Sequence, residues 1–436
     1  MIPTSKTITA AAVLALGMFT APVFGAEQPI PSLVYKTGAY APGGLRIAAG
    51  MKDYLEMLNA RDGGVGGVKF TVEECETGYN TDRGVECYER TKETGGGATV
   101  YNPYSTGITY AIIEKATHDR IPVLSMGYGR TSAADGRVFP YIFNFPASYW
   151  SQATAIIRYI GSVERGMDNL RGLRVAYIYL DHPYGKEPIP TLDILSERFG
   201  FSVDRYPVAP QSMTEQKSIW LQIRRTRPDY VVMWGWGAMN ATAIKEASAV
   251  RFPMDKFIGN WWSGSETDVR AAGRGAVGYK SANFHAPGQD FPVIGDIKKY
   301  LYDQGRGNGE PSYIGEVLYN RAVVNGIYIS EAIRVAQQKY GQRQLSGEEV
   351  RWGMENLNIT SADIRRLGAE GLLSPLKVTC ANHEGDNPGV VIQQWTGASW
   401  QVIRKWVPAM TDLVRPLIEK EAAQYAGENN ITPRNC

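Results

Sequence analysis

The sequence predicts an α/β protein made of two doubly wound, mainly parallel sheets, each with helices on both faces and with a cleft between them. Three observations lead there. Strand and helix signals alternate with few interruptions, the pattern of parallel strands joined by crossover helices. The 436 residues exceed what one hydrophobic core supports, so two lobes are expected. The chain also opens with a complete βαβ unit: a strand at Leu33–Tyr35, the turn Thr37–Gly44, a helix, the glycine-rich stretch Asn59–Gly67 and a second strand.

The N-terminus reads as an export leader over residues 1–25. Lys6 supplies the positive charge, Ile8 to Phe19 an apolar core, and Gly25 or Ala26 the cleavage point. That core is shorter than the roughly 20 apolar residues a membrane span needs, and no later run reaches that length. A free periplasmic protein is expected, since no Cys precedes Cys75 to carry a lipid.

The first helix carries Ile47, Met51, Tyr54, Leu55 and Leu58 on one face. A strand over Lys69–Glu73 leads to Cys75, and Cys87 falls in the next helix, close enough for a disulfide. Cys380 and Cys436 form the second pair; four cysteines are an even number in an oxidising compartment. A strand at Ala98–Tyr101 runs into Asn102–Gly107, then a helix from about Ile108, then the buried run Ile121–Ser125. A second unit begins with the helix around Trp150, Ala153, Ile157 and Ile160. It continues through strand 173–180, helix 189–199, strand 230–234, helix 240–250 and strand 256–259, and a later helix spans 317–337. No repeat or heptad run interrupts this order.

Several functions are excluded. With 46 basic against 44 acidic residues there is no electrostatic case for nucleic acid. The Gly63–Gly67 cluster follows a helix and precedes a strand, the reverse of a dinucleotide fingerprint, so it reads as a helix stop and tight turn. No nucleophile elbow, phosphate loop or zincin motif is present. The histidines are scattered and the cysteines paired, which leaves no metal ligand set and no cofactor; only His182 and His285 fall where pocket loops are expected.

In open α/β sheets ligands bind outside the carboxyl ends of the strands. The loops at those ends read Gly38-Ala39-Tyr40, Tyr104-Ser105-Thr106, Gly127-Tyr128-Gly129-Arg130, Ser148-Tyr149-Trp150, Asp181-His182-Pro183-Tyr184, Gly235-Trp236-Gly237 and Asn260-Trp261-Trp262. Nearly every one presents an aromatic ring. Any single ring could equally seal a core; their recurrence at one end of successive strands points to an aromatic cleft.

The segment Asn59-Ala60-x-x-Gly63-Gly64-Val65-x-Gly67, in this place and behind an export leader, resembles the type I periplasmic solute-binding proteins of ABC importers, the family of the leucine/isoleucine/valine-binding protein. The resemblance implies a three-strand hinge, with crossings near Ala147, Pro287 and Ser374. Lobe 1 would then comprise 28–147 and 288–373, and lobe 2 148–287 and 374–436. It implies a binding rather than catalytic role, a small-molecule ligand, permease subunits as partners and a monomer. Amino-acid-binding members hold the ligand carboxylate at loops that here carry Ser105, Thr106 and Gly127 to Gly129. They neutralise its ammonium with carboxylates at positions here occupied by Tyr149-Trp150 and Asn260-Trp261. Those carboxylates are missing, and burying an unpaired ammonium costs several kcal/mol.

The expected ligand is therefore an aromatic or apolar carboxylate, or a neutral polar molecule, rather than a free amino acid. Trp236, Trp261 and Tyr184 are expected to form a wall opposite Ser105, Thr106 and Gly127–Gly129, with Tyr40, Tyr104, Tyr128, Tyr149 and Trp150 around it and Arg130 as a supplement. The alternatives are a branched-chain amino acid or amide, a quaternary ammonium caged by cation–π contacts, a sensor on the same fold, or an exported enzyme of another type.

Overall fold

Beyond Met1, the computed structural model of the protein describes residues 27–436, so the expected leader and its cleavage point lie outside the described residues. Strand β1 (Glu27–Val34) pairs in parallel with β2 (Lys69–Glu76), Leu33 opposite Cys75. β1 starts earlier than its apolar run suggested. Pro29 and Pro31 read as strand breakers, yet Pro29 keeps its carbonyl in the sheet, accepting from the Thr99 N–H at 3.1 Å. The strand expected at Ala98–Tyr101 is reduced to two bridges, Asn102 to Ser32 and Tyr101 to Val123. Short strands β3 (Val123–Leu124) and β4 (Ile142–Phe143) complete this first sheet in parallel.

The second sheet is built from β5 (Arg174–Leu180), β6 (Ser202–Val208), β7 (Tyr230–Trp234), β8 (Phe257–Gly259) and β9 (Lys280–Asn283), parallel in the order β6-β5-β7-β8-β9. A two-residue ladder of β10 (Asn358–Ile359) with β11 (Leu376–Lys377) stands apart. The hairpin β12 (Gly389–Trp395) and β13 (Trp400–Pro408) extends the second sheet antiparallel at the β9 edge.

Both sheets have their second strand outside the first and the later strands on the other side. The order therefore reverses between β1 and the 101–102 bridge, and again between β5 and β7, the switch points where ligands bind in doubly wound sheets. The loops leaving those strands are 35–40, 103–106, 181–184 and 235–237.

The helix Ala41–Asp62 stops where expected. Gly63 turns left-handed at φ 72°, and the Gly64 N–H reaches back to the Leu58 carbonyl at 3.1 Å. This helix lies along the buried helix Val317–Tyr340. Two glycines make the approach possible: a Cβ at Gly50 would lie 2.4 Å from the Tyr319 oxygen, and one at Gly326 2.4 Å from Tyr54 Cδ1.

The chain passes between the two sheets after β4, after β9 and before β12. Residues ahead of β12 remain beside the first sheet, with the His383 N–H bonded to the Ala134 carbonyl and the Asn144 N–H to that of His383. The last helix, Thr411–Glu428, begins where the Met410 N–H meets Thr154 Oγ1, and its Ala422 and Ala426 pack with Leu33 and Ile108 of the first unit. Disulfides join Cys75 to Cys87 and Cys380 to Cys436.

Candidate ligand-binding cleft

The loops at the two switch points meet around a buried group of rings. Trp261 stacks on Tyr149 at 5.2 Å between centroids, and Tyr128 lies over Trp262 at 4.5 Å. Trp236 meets Trp262 edge-on at 5.3 Å and stacks with Tyr40 at 6.0 Å. Tyr35 and Tyr79, from the first sheet's side, close on Trp236 at 6.4 and 6.3 Å. Offset and edge contacts of this kind are favoured by the ring quadrupoles. The indoles of Trp261 and Trp262 both donate to the Gly127 carbonyl, at 2.9 and 2.5 Å, so the two units are bonded directly across the cleft. Gly127 has φ +79°, and a Cβ there would sit 3.0 Å from Phe284 Cε1 and 3.2 Å from Trp262 Cζ2; only glycine allows that approach.

Arg321 enters this group from the helix Val317–Tyr340. It is 1% exposed, with its guanidinium 4.3 Å from the Trp262 ring and 5.0 Å from Phe284. Nη2 donates to Asn283 Oδ1 at 2.5 Å and Nε to His285 Nε2 at 3.3 Å. His285 Nδ1 in turn faces the Ala286 carbonyl at 3.1 Å, which makes it the protonated nitrogen of a neutral ring. Burial and the adjacent guanidinium hold the His285 pKa well below its usual value. Burial also lowers Arg321, to about 10, which leaves it charged at neutral pH. Among the described residues Nη1 has no acceptor and no carboxylate lies within 4.0 Å of the guanidinium. The hydroxyls of Tyr35 and Tyr128 are likewise buried without a well-formed hydrogen bond.

The residues singled out from sequence divide into three sets. Tyr128, Tyr149, Tyr184, Trp236, Trp261 and Gly127 are brought together, with the Tyr184 hydroxyl donating to the Gly235 carbonyl at 2.9 Å and its ring edge-on to Tyr149. Tyr40 stands half-buried at the mouth. Ser105 and Thr106 lie beside the group but spend their oxygens locally. Ser105 Oγ caps the helix Thr106–Asp119 through the Ile108 N–H, and Thr106 Oγ1 accepts from the Gly129 N–H at 3.3 Å.

The others point elsewhere. Tyr104 accepts from Asn325 Nδ2 at 3.2 Å inside the first unit. Trp150 packs with Ala134, Val414 and Ile418 and donates to the Glu187 carbonyl. Arg130 covers the Tyr425 ring of the last helix at 4.6 Å. His182 caps the short helix Pro183–Lys186. Sequence reasoning missed Tyr35, Tyr79, Trp262, Phe284 and Arg321. The signal for Arg321 was present: a single cation in the apolar run Val317–Val324 of a helix that reads as buried all round.

No group of three or more His, Cys, Asp or Glu residues among the described residues is arranged to hold a metal ion, and no helix among them is long and apolar enough to cross a membrane. Two doubly wound units that close their strand ends on an aromatic, cation-bearing cleft define a two-lobed binding protein. Residues 27–399 match the family model of the periplasmic binding proteins, and the chain belongs to that family. Among solved structures it is similar to one from the Pseudomonas fluorescens group described as an ABC transporter permease. That likeness has 41% identity over 94% of this chain and 99% of the other, with a TM-score of 0.89. It also shares the fold of a Thermus thermophilus branched-chain amino acid ABC transporter protein with bound valine, at 20% identity over 90% and 99% of the two chains and TM-score 0.74. A Rhodopseudomonas palustris solute-binding protein in complex with benzoate matches at 14% identity over 88% and 97%, TM-score 0.68. No curated protein matches the chain.

Proposed function

We propose that this protein is the solute-capturing component of an ABC importer, and that its ligand is an organic anion with an aromatic or apolar body. It acts in the periplasm as a monomer, after leader cleavage near Gly25 or Ala26, and delivers its ligand to permease subunits without altering it. Lobe 1 (28–147 with 288–388) and lobe 2 (148–287 with 389–436) close over the ligand, the third crossing falling just before β12 rather than near Ser374, and the last helix straps back onto lobe 1.

The observation that carries this reading is Arg321. A guanidinium buried with no carboxylate within 4.0 Å, Asp268 acting on it only from farther off, is costly by several kcal/mol, and a carboxylate from the ligand relieves that cost through a planar, two-point contact. The surrounding rings supply flat apolar surface for the ligand body. The same cation disfavours a quaternary ammonium. A free amino acid is disfavoured because the nearby buried carboxylates are already engaged: Glu266 caps Val317, and Asp268 accepts from Ser265. Sensing on the same fold would use the same cleft and differ only in the partner that reads the closed form.

Thermal-shift screening followed by calorimetry tests this. Saturating the chain at 100 times the dissociation constant adds about 2.7 kcal/mol, a readily measured rise in melting temperature. Aromatic and apolar acids should give that rise, and leucine, isoleucine, valine and choline should not. Arg321→Gln should weaken the best acid by about 2–5 kcal/mol. Tight leucine binding, or an unaltered affinity in Arg321→Gln, would refute the assignment.

A further inference from the structure

The rings of the cleft form a run that leads outward from Arg321. Trp262 is 4.3 Å from the guanidinium, Trp236 is 5.3 Å from Trp262, and Tyr40 is 6.0 Å from Trp236. At the outer end, Tyr40 and Trp236 also line a cavity of about 350 Å³, within the size range of small-molecule sites. Its walls come from both units: Tyr40 and Gly43 on one side, Ala241, Thr242 and Lys245 on the other.

Its shape depends on two glycines. A Cβ at Gly43 would lie 2.7 Å from Trp236 Cη2, and one at Gly237, where φ is +64°, would lie 2.8 Å from Tyr40 Cδ1. Larger residues there would push the two rings into the cavity or apart. Lys245 on the rim is exposed and makes no ion pair within 4.0 Å among the described residues.

We propose that this cavity is a second subsite of the same cleft, taking the far end of an elongated organic acid whose carboxylate is held at Arg321. The inference rests on the reading of Arg321 as the anion anchor. The body of such a ligand lies along the run of rings. Its far end carries an anionic oxygen, because the cation without an ion pair at the rim, among the described residues, is the Lys245 ammonium; the Thr242 hydroxyl is already given to the Ala238 carbonyl at 2.9 Å, and the Asp268 carboxylate that also lines the cavity is held by the Ser265 N–H and hydroxyl. A compact acid reaches only the inner end, whereas a rod-shaped acid with a second carboxylate meets a cation at each end.

Calorimetry with benzoate, trans-cinnamate and 4-carboxycinnamate as probes separates the subsite from the anchor. In the wild type, 4-carboxycinnamate should bind at least about tenfold tighter than benzoate, with cinnamate between them. Lys245→Ala and Ala241→Trp should each remove that advantage and leave benzoate within about twofold of wild type. Arg321→Gln should weaken all three by about thirtyfold or more. Equal affinities in the wild type, or variants that weaken long and short probes alike, overturn the subsite, while weakened benzoate binding in Arg321→Gln upholds the anchor. Affinities left unaltered by Arg321→Gln, or no binding of any probe to the wild type, overturn the anchor and the subsite together. Lys245 is a surface residue, so its variant remains informative if Ala241→Trp fails to fold.

Discussion

Glu266 sits behind the cleft wall, and its Oε2 accepts the Val317 N–H at 2.9 Å, capping the helix that carries Arg321. Burial, reinforced by Glu316, raises its pKa to about 7. Arg270 and Arg46 face the same corner but pair with Glu316, and Asp268 nearby is itself raised to about 6. With the folded pKa above the unfolded one, the folded state holds the extra proton between about pH 4.5 and 7, and stability falls as pH rises through that window. Glu266→Gln keeps an acceptor for Val317 without the charge. Its urea-derived stability should match wild type near pH 4.5 and exceed it at pH 8 by up to about 3 kcal/mol; a pH-independent difference would contradict the assignment. At this scale the aromatic character of the cleft was legible in the loops, because residues at strand ends are placed by the βα order itself. The choice of arginine was not. Arg130 is adjacent in sequence to Gly127–Gly129 but turns to Tyr425, whereas Arg321 arrives from a helix distant in sequence.

Between elements, the two units are clasped at points outside the ring group. Glu187, just after the β5 loop, accepts the Thr131 N–H at 2.5 Å and the Tyr110 hydroxyl of the first unit. Glu316, at the head of the helix Val317–Tyr340, pairs with Arg46 from one unit and Arg270 from the other. These contacts exist only while the units are together. Glu187→Ala should therefore leave folding intact and weaken ligand binding by about 1–2 kcal/mol, partial exposure limiting the effect. The loss should appear mainly in the dissociation rate, measured by stopped-flow tryptophan fluorescence; an unchanged dissociation rate would remove Glu187 from the clasp. Among the elements, most helices and the long strands were legible from periodicity. The strand at Ala98–Tyr101 shrank to two bridges and β1 extended back through two prolines, because sheet pairing is decided by the neighbouring strands rather than by local propensity.

For the whole molecule, ligand contacts from both units favour the closed arrangement by the difference in affinity between closed and open forms. Small-angle scattering should show a smaller radius of gyration with saturating acid than without. An unchanged radius, in a chain whose ligand-free form is shown to be open, would count against hinge closure. The last helix bears on this motion. It starts against Thr154, ends against Leu33 and Ile108, and its tail is tied by Cys380–Cys436.

The sequence by itself determined the alternating α/β order, the two-unit size, the disulfide pairs and the aromatic strand ends. Each of these follows from local pattern: periodicity, length, cysteine count and the residues that follow each strand. Tertiary structure alone decided that Trp261 and Trp262 would share one carbonyl at Gly127, that Trp150 and Tyr104 would turn away from the cleft, and that Arg321 would supply its charge. Those outcomes depend on where distant helices pack. The buried helix Val317–Tyr340 takes its register from Gly50 and Gly326, and that register carries a charged side chain into a site no neighbouring residue marks.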